Sequence, residues 1–454
     1  MSHILSRKIL SDLIFWSKRE NRKPLVLRGA RQVGKSTLVN ILAETLKLEL
    51  VTINFERSPE VAQLFLSNNP NEIIQLIALH TGKSINLKGS LLFLDEIQVA
   101  PHILGSLRYF YEEMPDLPVI CAGSLLEFSL EEPSFSMPVG RIEYMYMGPM
   151  TFEEFLLAIN EPLLCDFLQT YTIGKKYPAI IHEKLMRFLK TYMIIGGMPE
   201  AVKNYVTNTD FIEVERTKNT IISTYQDDFS KYSRDKEELR LREVFEKIAQ
   251  NIACKVQYSK INPHFRSNVV AQALRKLALA RAIYLVHHTA GNGVPLGAEI
   301  NEKIFKPLFL DIGLLSTKLQ LNFLDLNKIE ELTLVNQGTL TEQFIGQHLL
   351  YDHESYEAPY LYYWQREKAS SQAEIDYVIS MGQQVAPIEV KSGKTGTLRS
   401  LHYFLQEKKL PLGIRFCSLQ PEEIHLESYK ILSLPLYMIG QIRRLLKMQI
   451  GAVS

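Results

Sequence analysis

Apolar positions come along this chain in two patterns. Short unbroken runs bounded by turn residues read as buried strands, and apolar spacings of three and four read as helices. Residues 24–28 form the first unbroken run, followed by a Gly-rich turn and an apolar helix over residues 37–47. Further strand runs occupy residues 50–55, 91–94, 118–122 and 142–147, with a helical stretch at 71–80. This alternation predicts an α/β unit over residues 1–150. Residues 151–230 read as helical throughout, with Thr151-Phe152-Glu153-Glu154 as a capped start. A long amphipathic helix at 239–253, a short one at 259–261 and a third at 266–280 follow. Two strands at 282–287 and 303–310 then flank the turn Ala290-Gly291-Asn292-Gly293. The last third reads as a helix from about residue 336 to 350, strands at 361–364, 373–379 and 387–392, and a helix at 397–406.

Composition narrows the class without naming a function. At 454 residues the chain exceeds one core, and 46% hydrophobic with 22% charged residues is ordinary globular usage. The four cysteines (Cys121, Cys165, Cys254 and Cys417) are far apart and never form a CxxC pair. That excludes a disulfide scaffold and a zinc finger, and it suits a reducing cytoplasm. No apolar run reaches the roughly 18 residues of a membrane span. Residues 1–23 alternate charged and apolar positions as an amphipathic helix does, not as a signal peptide does. The expectation is a cytoplasmic protein with no membrane contact.

Net charge is +1, too small for a whole-molecule pull towards nucleic acid. Its distribution is uneven. Residues 1–160 carry 15 basic and 18 acidic side chains, residues 161–329 carry 24 and 18, and residues 330–454 carry 12 and 14. Residues 239–315 alone hold 11 basic against 5 acidic, the whole surplus of the middle segment. Such a patch is the footprint of phosphate-backbone contact, or else an ordinary solvated helical surface.

The clearest chemistry lies in Gly29-Ala30-Arg31-Gln32-Val33-Gly34-Lys35-Ser36-Thr37, a GxxxxGK[ST] loop between a strand and a helix. The glycines let backbone N–H groups wrap phosphate oxygens, and the helix N-terminus adds its dipole. Lys35 is expected to reach the β and γ phosphates of ATP, and Ser36 to hold Mg2+. The run Leu91 to Leu94 ends in Asp95 and Glu96. Asp95 is expected to bind Mg2+ through water and Glu96 to act as general base on the attacking water. Ser124 after the fourth strand is a candidate γ-phosphate sensor or a plain helix cap. Arg141 is a candidate for developing phosphoryl charge, in its own subunit or a neighbour's, or a structural ion pair.

These features resemble the AAA+ ATPases. More narrowly, LVLRGARQVGKSTL, LDEIQ and PVGRIEYMYMGPMTFEEFL are similar to a bacterial and archaeal family that joins an AAA-type ATPase to a C-terminal domain of unknown function. GGMPEAV (residues 196–202), YQDDFSKY (225–232) and KPLFLDIGLL (306–315) resemble the same family, although their residues state no chemistry. The resemblance implies an AAA+ core at 1–150 and a helical lid with connector at 151–235.

Two further modules are expected. Helix, short helix, helix and hairpin over 236–320 is the order of a winged helix-turn-helix, which docks its third helix in DNA or serves as a protein scaffold. Arg266, Arg275 and Lys276 are its candidate DNA contacts. Over 330–454, Asp376 followed thirteen residues later by Glu389-x-Lys391 resembles the PD-(D/E)xK nuclease superfamily, with Ile375 where the pattern has proline. Glu389 and Lys391 share a strand face. With Asp376, and Glu342 on the leading helix, they are expected to hold metal over a scissile phosphate, Lys391 orienting the attacking water. The same spacing also arises in any α/β hairpin, and a nuclease fold also binds without cutting.

Together these readings predict an AAA+ ATPase using ATP and Mg2+, acting on DNA and open to homo-oligomer formation. The alternative is an ATP-driven signalling switch whose C-terminal domain recruits a protein.

Overall fold

The apolar runs of the first third form strands, largely buried at 25–29, 90–95 and 119–122 and part-exposed at the two edges of the sheet. The computed structural model describes residues 5–131, 137–233, 236–321, 334–366, 373–393 and 397–451. Residues 1–4 of the expected N-terminal helix and residues 330–333 of the expected C-terminal domain lie outside the described residues. Strands β1 (Leu25–Gly29), β2 (Glu49–Asn54), β3 (Ser90–Asp95), β4 (Val119–Ala122) and β5 (Glu143–Met147) make one parallel sheet in the order β2-β3-β4-β1-β5. β4 therefore stands between β1 and β3. Every residue of β3 is buried because the sheet is covered on both faces. Leu91 and Phe93 enter one core, while Leu92 and Leu94 enter the core opposite.

Helices occupy most of residues 152–232, interrupted by a non-helical stretch at 171–178 where the sequence read as helical throughout, and the capping box between Thr151 and Glu154 is present. Arg7, just ahead of helix Ile9–Lys18, ties this region to the sheet. Its guanidinium donates to the Val33 carbonyl at 2.8 Å, the Gly148 carbonyl at 2.7 Å and Glu154 at 3.2 Å.

Three motifs without evident chemistry prove to be joints. Gly197 N–H, in GGMPEAV, donates to Asp311 of KPLFLDIGLL at 2.6 Å. Asp311 also caps helix Ile312–Lys318 through the N–H groups of Gly313 and Leu314. A Cβ on Gly196 would lie 2.1 Å from the Asp311 carboxylate, so the joint admits no side chain there. Gln343 and Gln347 on helix Leu334–Leu349 then stitch to the backbone of Phe309 and Ile312. The third motif, YQDDFSKY, reaches the phosphate loop.

The middle region has the expected order of helices, Lys236–Ile248, Tyr258–Ile261 and Ser267–Leu279, then β6 (Ile283–Thr289) and β7 (Ile300–Phe309). Its hairpin is not a free wing. β6 pairs in parallel with β8 (Tyr362–Gln365) at His287↔Tyr362 and His288↔Tyr363. The edge that a wing leaves open is thus closed by the C-terminal part of the chain. β9 (Glu374–Met381), β10 (Gln384–Val390), β11 (Leu412–Cys417), β12 (Glu422–His425) and β13 (Lys430–Pro435) complete a mixed eight-stranded sheet. Its order is β12-β13-β11-β10-β9-β8-β6-β7. The 320/330 division read from sequence is crossed by this sheet, and one buried cluster runs from Ile9 to Leu446. Among the described residues no helix is long and apolar enough to cross a membrane.

Candidate functional site

The phosphate loop leaves β1 through Gly29, at φ 155°, where a Cβ would lie 2.2 Å from the Met147 carbonyl oxygen. Gln32 and Gly34 also take left-handed conformations, at φ 61° and 95°, which curl the loop before helix Lys35–Leu46. Gly34 precedes that helix without any side-chain cap, so its first N–H groups remain available to an anion. Ser36 and Thr37 are exposed at this mouth, and Val33 is buried beneath it.

Lys35 folds back onto the loop, its ammonium donating to the carbonyls of Gly29 at 2.9 Å and Ala30 at 2.8 Å. Burial lowers its pKa to about 8, only partly opposed by Glu96 and Asp95. Neutral carbonyls do not supply the countercharge that a phosphate brings. The Ser36 hydroxyl donates to Asp95 at 3.0 Å, and burial followed by the nearby Glu96 raises the Asp95 carboxyl. A hydroxyl and a carboxylate meeting beside an uncapped helix start form a donor set that fits Mg2+ together with phosphate oxygens.

Glu96 takes a left-handed φ of 53° immediately after β3. One of its carboxylate oxygens accepts from Gln98 Nε2 at 2.6 Å and from Ser124 Oγ at 3.4 Å. Ser124 is thus brought to the expected base rather than left as a bare cap. Gly123 permits this, because a Cβ there would lie 2.3 Å from the Gln98 side-chain oxygen. Sequence reading missed Gln98, although it lies two residues after Glu96.

The second constellation forms on the far sheet. Asp376 on β9 accepts from Val390 N–H at 2.7 Å, and Lys391 donates to Glu389 at 2.5 Å. Glu342 from helix Leu334–Leu349 joins them. The unforeseen member is Lys306 of β7, whose side chain is 1% exposed. Its ammonium contacts Glu374 directly and lies 3.0 Å from Glu342 and 4.0 Å from Asp376. Burial lowers the Lys306 pKa, but Glu342, Glu374 and Asp376 more than reverse this and leave it raised. Burial also raises the carboxyls of Glu342, Asp376 and Glu389. Among the described residues no three His, Cys, Asp or Glu side chains group to hold a metal ion. The metal role expected of Glu342, Asp376 and Glu389 thus has resident cations to compete with, Lys306 beside Glu342 and Asp376 and Lys391 beside Glu389.

Residues 21–156 match the family model described as an AAA domain. The N-terminal third matches an AAA domain, and the phosphate loop lies within the match. Residues 186–325 and 337–437 match two models each described as a domain of unknown function, DUF8612 and DUF4143. No curated protein compared with the chain matches it. Among solved structures, the chain is similar to the Walker-type ATPase PABY2304 of Pyrococcus abyssi at 16% identity and TM-score 0.43, covering 69% of this chain and 96% of that one. It is similar to the Aeropyrum pernix ORC2 protein at 11% identity and TM-score 0.33, with 71% and 93% covered. The Thermotoga maritima RuvB Holliday junction branch migration motor follows at 15% identity and TM-score 0.29, with 66% and 93% covered.

The AAA domain is wired to the rest of the chain through its phosphate loop. Arg31 pairs with Asp228, and the Tyr225 hydroxyl donates to the Arg31 carbonyl at 2.8 Å. Lys231 reaches Glu56 at 2.7 Å and Asp228 at 3.4 Å. The segment YQDDFSKY is therefore a strap across the loop, which its paired acids and lysine signal only once the partners are known. A second link runs through Glu127, which pairs with Arg28 of β1 and with Arg281 ahead of β6.

Arg141 stands elsewhere. It precedes β5, and Glu143 of that strand registers with Leu25, whereas the loop follows Gly29, registered with Met147. At about 3.3 Å per residue this puts Arg141 roughly a full strand length from the loop of its own subunit. It pairs there with Glu112 at 2.8 Å. The cis catalytic role is corrected accordingly.

Five of the eleven basic side chains of residues 239–315 pair with acids from outside that segment. Arg242 pairs with Glu238 and Asp227, Arg275 with Glu131, and Lys276 with Glu237 at 2.8 Å and the Tyr232 carbonyl at 3.0 Å. Arg281 and Lys306 pair with Glu127, Glu342 and Glu374. Arg266 sits at the start of helix Ser267–Leu279 and makes no side-chain cap.

Proposed function

We propose that the AAA domain binds ATP with Mg2+ and hydrolyses it, and that the nucleotide state is passed on to the middle and C-terminal regions as a switch. The observation that carries this is the Glu96 carboxylate held by Gln98 and Ser124 beside the Ser36–Asp95 pair. In this reading Lys35 leaves the loop carbonyls for the β and γ phosphates, and Glu96 takes the proton of the water attacking the γ phosphorus. The bond from that phosphorus to the ADP oxygen breaks, and phosphate and ADP leave. Ser36 and Asp95 would hold Mg2+, which would supply charge neutralisation on the phosphate oxygens.

The output runs through Arg31 and Asp228. A γ phosphate near Arg31 competes with the Asp228 carboxylate for the guanidinium, and the strap 225–232 loosens or tightens with it. This reading takes a protein as the partner, with Arg275 and Lys276 paired to acids of their own chain. The other reading, action on DNA through Arg266, Arg275 and Lys276, draws on the surplus of 11 basic over 5 acidic residues at 239–315.

Phosphate release with Mg2+, in wild type beside Lys35→Ala and Glu96→Gln, tests the ATPase. Loss in both variants is expected, and turnover unchanged in Lys35→Ala would sink the proposal. Duplex DNA titrated at low and high salt separates the two partners. The protein reading expects no steep salt dependence. A steep one that disappears in Arg275→Ala/Lys276→Ala returns DNA to first place.

A further inference from the structure

A nuclease-like constellation takes up a divalent ion on carboxylate oxygens, and such ions require several oxygens at about 2.0–2.6 Å. The oxygens of Glu342, Glu374 and Asp376 instead converge on the Lys306 ammonium. This lysine belongs to none of the segments that carry the acids. It arrives on β7, within the 186–325 match, whereas all its carboxylates lie within 337–437. It is buried with its ammonium over the Tyr363 ring, 5.0 Å from the centroid, and cannot swing to solvent without parting the sheet from the helix.

The remaining carboxylate has its own cation. One oxygen of Glu389 accepts from Lys391 at 2.5 Å, and the other is buried without a hydrogen-bond partner, on a side chain 6% exposed. Arg415, registered beside Glu389 on β11, adds positive charge on the same face. The C-terminal sheet thus holds acids in the order of a metal site, an open buried carboxylate oxygen, and a lysine in place of the ion.

We propose that Lys306 is a built-in cation occupying the metal position of this constellation, so that the C-terminal site takes up no divalent ion and cuts no phosphodiester by metal-assisted hydrolysis. What it does instead is join. Lys306 fastens the β6–β7 hairpin to helix Leu334–Leu349 and to β9, and so couples the two regions that follow the AAA domain. Removing its charge while keeping its length opens an ion site where none exists in the native chain.

Mn2+ uptake by the nucleotide-free full chain, followed by the electron paramagnetic resonance of free Mn2+, tests this independently of ATP hydrolysis. Wild type, Asp376→Asn, Lys306→Met and the double variant are compared, so that any ion held at the phosphate loop contributes equally to each. Asp376→Asn keeps an oxygen for the Val390 N–H and is chosen for that reason. Wild type and Asp376→Asn are expected to bind the same amount. Lys306→Met is expected to bind about one more ion per chain, lost again in the double variant. Greater uptake by wild type than by Asp376→Asn would overturn the proposal, and so would a folded Lys306→Met that gains nothing. Should Lys306→Met fail to fold by circular dichroism, the wild-type against Asp376→Asn comparison still decides.

Discussion

Lys35 in the phosphate loop and Lys306 in the C-terminal sheet are both buried, at 8% and 1% exposure, and their ionisation is pulled in opposite directions. Lys35 bonds only to two carbonyl oxygens, so burial prevails and its pKa falls to about 8. Lys306 meets Glu342, Glu374 and Asp376, and these outweigh its burial. The first site is short of negative charge and is completed by an anion from outside. The second is already complete. Both lysines lie near carboxylates in the fold, and what separates them is whether the countercharge is resident or awaited.

The largest expected effects fall on the site that awaits its ligand. Lys35→Ala should reduce ATP turnover by about 10²-fold or more, as loss of a positioned transition-state donor does. Glu96→Gln should lower turnover by about 10²–10⁴-fold, the usual worth of a general base, while ATP binding persists. Phosphate release and equilibrium binding of a fluorescent ATP analogue separate the two. If Glu96→Gln also abolished binding, Glu96 would be structural and the site less open than the contrast with Lys306 requires.

The next effect falls on stability and has opposite expectations for the two lysines. Lys306→Ala leaves three carboxylates facing each other in a buried site and should cost about 3–5 kcal/mol. Lys35→Met removes a buried cation that has no carboxylate bonded to it, and should leave the nucleotide-free chain as stable or more so. Urea midpoints of the two variants against wild type check this. Equal losses would erase the distinction between a resident and an awaited partner.

The legibility of the two sites in sequence follows from the same difference. Gly29 to Thr37 is contiguous because a phosphate is held largely by successive backbone N–H groups, so spacing alone declares it. Asp95, Glu96 and Ser124 end neighbouring strands, β3 and β4, and the strand pattern placed them correctly. Lys306 lies 36 residues before Glu342, and nothing local marks it. Its role was hidden inside KPLFLDIGLL, just as the strap was hidden inside YQDDFSKY. The basic surplus at 239–315 is partly answered from elsewhere in the chain, for a related reason. Segment charge counts what a stretch carries, while Glu127, Glu131, Glu237 and Glu342 answer it from elsewhere. The runs at 412–417 and 430–435 are strand-like, but only pairing shows that they extend the sheet holding the hairpin.

A smaller effect concerns pH. Lys35 has a folded pKa of about 8 against an ordinary value of 10.5, so between these the unfolded chain holds the proton more tightly than the folded one. Stability from this group therefore rises as pH increases through that window, and below about 8 the cost of burying the charge is present in full. Urea midpoints of wild type minus Lys35→Met, taken across the window, should climb with pH. Saturating ATP should flatten the slope, because the phosphates supply the missing countercharge. A slope that persists unchanged with ATP bound would mean that Lys35 does not meet the phosphates.

The smallest expected effect is that of Arg141→Ala. An awaited partner need not be the nucleotide alone, and the place of Arg141 asks whether a second copy completes the same site. Within one subunit it stands at the opposite end of β5 from the loop, exposed and paired with Glu112. Turnover per chain at dilutions that keep the protein monomeric should therefore be unchanged by Arg141→Ala. At concentrations where sedimentation shows oligomers, a deficit confined to the variant assigns Arg141 to a neighbour's nucleotide. Mixing Arg141→Ala with Lys35→Ala chains then decides it, since a shared site regains turnover when an intact loop meets an intact arginine across the interface. A monomer deficit would instead mean that the sheet does not hold Arg141 away from its own loop, contrary to the register of Glu143 with Leu25.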